Sequence, residues 1–309
     1  MAAMRLSLLH FGCAALVLSA CSSESPKPVE PTVSAPSATV APVDTAVASA
    51  VTTAKPVELP PVDFVAGALA TPPVKAPKIA ITAPKKDQVI PTDKAGDFAV
   101  TFTLDGWDVP AGGNHVHLIL DGQPYKRIDD PKAPVKLSEL TTSPLAEGQH
   151  VLVAFPSRPT HESVKPIGKD VPVSVTSFWV GKKGTPTWKT TDPLLVFSRP
   201  KGMNAGPPPA EGILVDFYLV NTELGEGKHT VEATLSGPGL SAEKSVKITS
   251  WTPWRVTQPR DGEYTLSMRL VDKAGKVVPG SMNEVKRTFQ VDTKAPPPAD
   301  HKHPAPSGK

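Results

Sequence analysis

The chain has 309 residues, with 37 Pro and 2 Cys. Proline at about 12%, against a usual ~5%, is more than one ordinary domain carries, because proline lacks an N–H and breaks helices and central strands. The net charge of +3, from 33 basic and 30 acidic residues, argues against a nucleic-acid binder, which needs a concentrated basic face.

The first 21 residues read MAAMRLSLLHFGCAALVLSAC. Arg5 supplies a positive n-region, and Leu6 to Leu18 is an apolar stretch. At ~1.5 Å per residue the stretch spans only ~20 Å, too short for a ~30 Å hydrocarbon core, so residues 1–20 read as a signal peptide and not a membrane helix. The stretch ends in Leu18-Ser19-Ala20-Cys21. That tetrapeptide resembles the lipobox of bacterial lipoproteins at every position. The resemblance implies cleavage before Cys21 and a covalent lipid on its sulfur, which would hold the protein to a membrane of the cell envelope. Ordinary secretory cleavage at the same place, with Cys21 incidental, is the alternative. Ser22 is not the Asp that favours inner-membrane retention in enterobacteria, so the outer membrane is expected where the host has two. Cys13 leaves with the signal peptide, so the folded part has no thiol. Disulfides, thiolate zinc sites and thiol catalysis are thereby excluded.

Residues 21–77 follow as an acylated Cys and a Pro/Ala-rich tether, with 11 Pro and one aromatic, Phe64. Such a composition cannot bury enough surface to offset ordering entropy, and disorder is expected. The Pro-rich tail, 295–309, is expected to be disordered too.

From Lys78 the pattern changes to period-two alternation, the mark of half-buried strands. It predicts strands at 78–82, 98–104, 115–120, 135–137, 149–155 and 173–180. A linker, 182–193, separates them from a second set at 194–198, 213–220, 229–235, 243–249, 264–271 and 284–291. No helix-period segment of any length occurs. The fold class expected is all-β, with two tandem antiparallel sandwiches at 78–181 and 194–294. Leu145-Ala-Glu-Gly-Gln-His150 and Leu224-Gly-Glu-Gly-Lys-His229 echo each other, and Asp261-Gly-Glu-Tyr264 has a similar form. Glycine, one residue, then a ring before alternating apolar residues resembles the start of a late strand in immunoglobulin-like domains, where the ring bonds upstream backbone.

The most pointed local feature is Gly113-Asn-His-Val-His-Leu-Ile-Leu-Asp-Gly122. In a strand, His115, His117 and Ile119 share one face, while the uniformly apolar Val116, Leu118 and Leu120 face the core. Two imidazoles ~7 Å apart along a strand are a common start for a Cu or Zn site that needs a further ligand. In an immunoglobulin-like sandwich the 156–172 loop lies at the same end as His115 and brings Arg158, His161 and Glu162. The candidate metal ligands are therefore His115, His117 and His161, with Asn114, Arg158 and Glu162 as ligand-binding neighbours. Hydrogen-bonded histidines without metal are the plainer alternative. Trp107 and Trp254 are candidates for stacking on a sugar, against simple packing. No nucleophile elbow, zincin motif or phosphate loop occurs. The expectation is a non-catalytic binding or structural module displayed on a stalk, its partners the membrane and a protein or polysaccharide of the envelope. A His-based metal-binding protein and a polysaccharide-binding protein are the alternatives.

Overall fold

Alternating residues become strands throughout the computed structural model, which describes residues 59–296. The strands are β1 Asp63–Ala66, β2 Lys78–Ala83, β3 Val89–Ile90, β4 Ala99–Asp105, β5 His115–Leu120, β6 Lys126–Ile128, β7 Val135–Lys136, β8 Gly148–Ser157 and β9 Ser174–Val180. The second series is β10 Leu194–Arg199, β11 Gly202–Ala205, β12 Ile213–Val220, β13 Thr230–Ser236, β14 Lys244–Ile248, β15 Trp254–Thr257, β16 Gly262–Val271 and β17 Glu284–Asp292. Among the described residues the one α-helix is Thr92–Ala95. None is long and apolar enough to cross a membrane. The signal peptide, Cys21 and most of the tail lie outside the described residues.

Strand order shows a repeat that the sequence only hints at. The first sandwich pairs sheet β2-β4-β7 with sheet β3-β9-β8-β5-β6. Adding eight to each label gives β10-β12-β15 and β11-β17-β16-β13-β14, the sheets of the second. Both are immunoglobulin-like. Neither is wholly antiparallel as expected, since β3 runs parallel to β9 and β11 parallel to β17. In the second sandwich the Tyr264 hydroxyl donates to the Pro238 carbonyl at 2.7 Å and accepts from the Arg260 amide at 2.8 Å, a tyrosine corner. His150 takes the same place in the first. Its Nδ1 bonds the Asp121 carboxylate at 2.6 Å and its Nε2 the Ala146 carbonyl at 2.8 Å.

Each sandwich closes on its own core. Val116, Leu118, Leu120, Leu152, Ala154 and Phe178 lie in the first. Leu195, Phe197, Val215, Phe217, Tyr264 and Phe289 lie in the second. A third cluster joins the sandwiches. Ile119 of β5 and Val151, Val153 and Phe155 of β8 meet Leu194 and Val196 of β10, Tyr218 of β12, and Trp188. The outer face of one sheet thus packs on the outer face of the next, and β5, β8, β10 and β12 are buried on both faces. The 182–193 segment is consequently more than a spacer. Trp188 is 1% exposed, and the Gln149 side chain accepts from the amides of Thr187 and Trp188 and donates to the Trp188 carbonyl.

The expected disordered tether to residue 77 needs correction over its described part. β1 pairs antiparallel with β15, from Asp63 opposite Thr257 to Ala66 opposite Trp254. It thereby extends the second sandwich's sheet to β1-β15-β12-β10. Phe64, the lone aromatic of that stretch, enters the second core at 1% exposure. An ion pair of Asp63 with Lys244 fastens the strand further. The chain then crosses to the first sandwich, where the Ala70 amide donates to Glu162 at 3.0 Å and Arg158 donates to the Thr71 carbonyl at 2.7 Å.

Candidate metal centre

Three imidazoles meet where the sandwiches meet. His115 and His117 project from the interface face of β5, and His161 comes from the loop between β8 and β9. All three are buried, at 0%, 0% and 2% exposure. Each offers one nitrogen, and these atoms lie within 4.8 Å of one another. His115 Nε2 is 2.9 Å from His117 Nε2 and 3.0 Å from His161 Nδ1. With metal–nitrogen bonds of ~2.0–2.1 Å, ligand nitrogens of a tetrahedral site stand ~3.3 Å apart. Shifts of about an ångström would seat an ion.

Local chain geometry sets these positions. β5 pairs with β8 so that His115 faces Ser157, which puts the following loop beside it. The loop closes tightly, with the His161 amide bonded to the Arg158 carbonyl at 2.8 Å and the Arg158 amide to the Glu162 carbonyl at 2.9 Å. His161 pays for this turn with a left-handed backbone, φ 66°, a conformation uncommon outside glycine though tolerated by histidine. On the opposite side, Gly113 has φ +85°, and a Cβ there would stand 3.2 Å from Pro159. Glycine is needed for both the turn and the close approach.

Proton positions follow from the partners. A carbonyl only accepts, so His115 Nδ1 carries the proton that bonds Gly113 at 2.9 Å. Its Nε2 lone pair then points into the cluster. An outward donor of this kind is what orients metal-ligating histidines. His117 Nδ1 lies 3.0 Å from the Ser198 hydroxyl of β10, a group able to donate or accept, so His117 can present either tautomer. Burial pushes the His115 imidazole down to about 4, against the pull of the Gly113 carbonyl. Burial pushes His117 well below its ordinary value, with His115, His161, Arg199 and Lys201 adding to it. Both rings are neutral at pH 7, the form that binds metal.

Tyr125 closes the cluster. Its ring stacks on His117, with centroids 3.5 Å apart and planes at 11°, and its hydroxyl lies 3.1 Å from His161 Nδ1. Arg199 donates to that hydroxyl at 3.2 Å, and the Lys201 ammonium sits 3.8 Å from the ring centroid. Tyr125 and Ser198 are site residues that sequence reasoning missed. Ser198 arrives from the second sandwich and Tyr125 from the turn between β5 and β6, and the apolar run of β12, broken only by Asp216, is a readable sign of burial on two faces.

The remaining candidates do not join the cluster as ligands. Asn114 is half-buried ahead of β5 and makes no side-chain hydrogen bond among the described residues. Arg158 and Glu162 hold the crossing segment at Thr71 and Ala70. Trp107 is half-buried, with its Nε1 buried. Trp254 is half-buried against the second core, 5.0 Å from the Phe64 ring. Neither indole is an open platform for a sugar.

No family model matches the chain, and no curated protein does. Among solved structures, a Ca2+-stabilized adhesin with which an Antarctic bacterium binds ice is 16% identical, over 71% of this chain and 49% of its own, with a TM-score of 0.22. This chain thus spans about half the length of that adhesin. The D0–D1 domain of intimin is 13% identical over 70% of this chain and 98% of its own, at 0.23. The FN1–FN3 domains of chicken CNTN1 are 8% identical over 70% and 66%, at 0.19. Likenesses this distant add nothing to the fold read from strand order.

Proposed function

We propose that the protein is a lipid-anchored component of the cell envelope whose folded part is a non-catalytic module binding one transition-metal ion, Cu or Zn, through His115, His117 and His161. The observation that carries the metal reading is the convergence of three buried imidazole nitrogens within 4.8 Å. Three neutral nitrogen donors without thiolate or carboxylate suit copper or zinc, not magnesium or calcium. The two sandwiches contribute to one site, since β5 and the β8–β9 loop supply the ligands while Ser198 of β10 bonds the His117 ring. The anchor rests on Leu18-Ser19-Ala20-Cys21.

Calorimetric titration of the chelator-treated protein with Zn2+, and with Cu+ under reducing conditions, tests the reading. One ion should bind per chain, and His117→Ala should weaken binding at least 100-fold. A folded wild-type protein that takes up neither ion at micromolar concentration leaves the cluster a hydrogen-bonded interface network and ends the metal reading. For the anchor, Cys21→Ala should move the protein from the membrane to the soluble fraction; retention in membranes would sink it.

A further inference from the structure

Beside the histidine cluster lies a cavity that shares His161 and Arg199 with it. It has a volume of about 230 Å³ and lies between the β8–β9 loop, at His161, and the second sandwich. One wall is apolar, built from Ile213 and Leu214 of β12 and the run Pro207-Pro208-Pro209. Two arginines, Arg199 and Arg255, also line it. Arg255 makes no ion pair and no side-chain hydrogen bond among the described residues. Arg199 donates one N–H to Tyr125, and its Nε is buried without a hydrogen-bond partner. The acidic residue of the lining, Glu211, is exposed.

A buried N–H without an acceptor is destabilising, and native structures rarely carry one without a reason. The partner that best satisfies a guanidinium fork is a carboxylate or phosphate, through paired charge-assisted hydrogen bonds. The apolar wall separates these two. A fully hydrated, multiply charged phosphate gains nothing from Ile213, Leu214 and the prolines, whereas a carboxylate with an aliphatic body buries that body there. The cavity is smaller than the ~300–1,000 Å³ typical of drug-sized ligands, which sets a short chain. We propose that this cavity is a binding site for a small aliphatic monocarboxylate, its carboxylate held by Arg199 and Arg255 and its hydrocarbon body on the β12 and proline wall. Neither arginine is a metal ligand, so the site stands or falls independently of the metal reading.

The test uses the full chain in detergent with chelator present, so that metal occupancy does not enter. Isobutyrate, its neutral isostere isobutyramide, and inorganic phosphate are titrated separately and followed by calorimetry. Isobutyrate should bind one to one, isobutyramide at least 10-fold more weakly, and phosphate more weakly than isobutyrate. Arg255→Gln should weaken isobutyrate at least 10-fold, with folding checked by circular dichroism. Glu211→Gln, at an exposed position, should tighten it about 2-fold by removing a like charge, and it keeps the test decisive should Arg255→Gln fail to fold. Equal affinity for acid and amide would overturn the proposal. So would tighter binding of phosphate, or affinities unchanged in both variants.

Discussion

At the scale of single residues, His115 shows how burial and tautomer cooperate. Its Nδ1 proton is committed to Gly113, and a second proton would have to enter a fully buried ring. Burial therefore holds its titration down to about 4, the Gly113 carbonyl opposing and the Arg127 charge assisting. In the unfolded chain the same ring titrates near 6.5. Between those values the unfolded chain binds a proton that the folded one refuses, so stability falls as pH falls through that window. At ~1.4 kcal/mol per pH unit, this ring alone removes ~3 kcal/mol on reaching pH 4. Urea midpoints with chelator at pH 7 and pH 4.5 should show the decline, and His115→Gln, which cannot protonate, should show a smaller one. An identical decline in the variant would mean that carboxylates carry all of it. His150 has the opposite sign. Burial lowers its titration, but the Asp121 hydrogen bond and charge and the Ala146 carbonyl outweigh that and raise it. Its stabilising contribution is complete below ~6.5 and is lost as pH rises through the raised value.

At the scale of elements, β1 is the instructive case. It fills the edge beside β15, where an open strand would present unpaired N–H and C=O groups, and it places Phe64 between Trp254 and the second core. Phe64→Ala should cost about 3–5 kcal/mol and speed amide exchange along β15, as measured by urea unfolding and hydrogen exchange. A loss below ~1 kcal/mol would show that the strand only rests on the surface. This strand was not legible in the sequence because its partner lies about 190 residues away and its surroundings are proline-rich; Phe64 was the one local sign. The central strands were legible because alternation and short apolar runs need only local sequence, and 115–120 and 213–220 match β5 and β12 to the residue. Of the site, His115 and His117 were legible from period two. His161 followed from which loops share an end of the sandwich. Arg158 and Glu162 share that end as well, but they hold a segment of chain expected to be disordered, so their partners could not be foreseen.

At the scale of the whole molecule, the two sandwiches behave as one unit because their contact is built like an interior. Its polar key is Lys165, from the β8–β9 loop, which donates to Asp216 of β12 at 2.7 Å, to Ser163 and to the Phe217 carbonyl. Asp216 is fully buried and also accepts the Ser163 amide at 3.2 Å. Removing one partner of such a pair leaves an uncompensated buried charge, at about 3–5 kcal/mol, while replacing both is far milder. Lys165→Met should therefore destabilise by that amount. Lys165→Met with Asp216→Asn, which keeps an acceptor for the Ser163 amide, should recover more than half. The wild type should unfold in urea as a single transition. Indole fluorescence, with Trp188 and Trp251 at the junction, and far-ultraviolet circular dichroism should coincide. In Lys165→Met the indole change should come first, as the junction opens before the sheets melt. Coincident transitions at an unshifted midpoint in the single variant would mean that the junction is held by the apolar cluster of Phe155, Tyr218 and Trp188 alone.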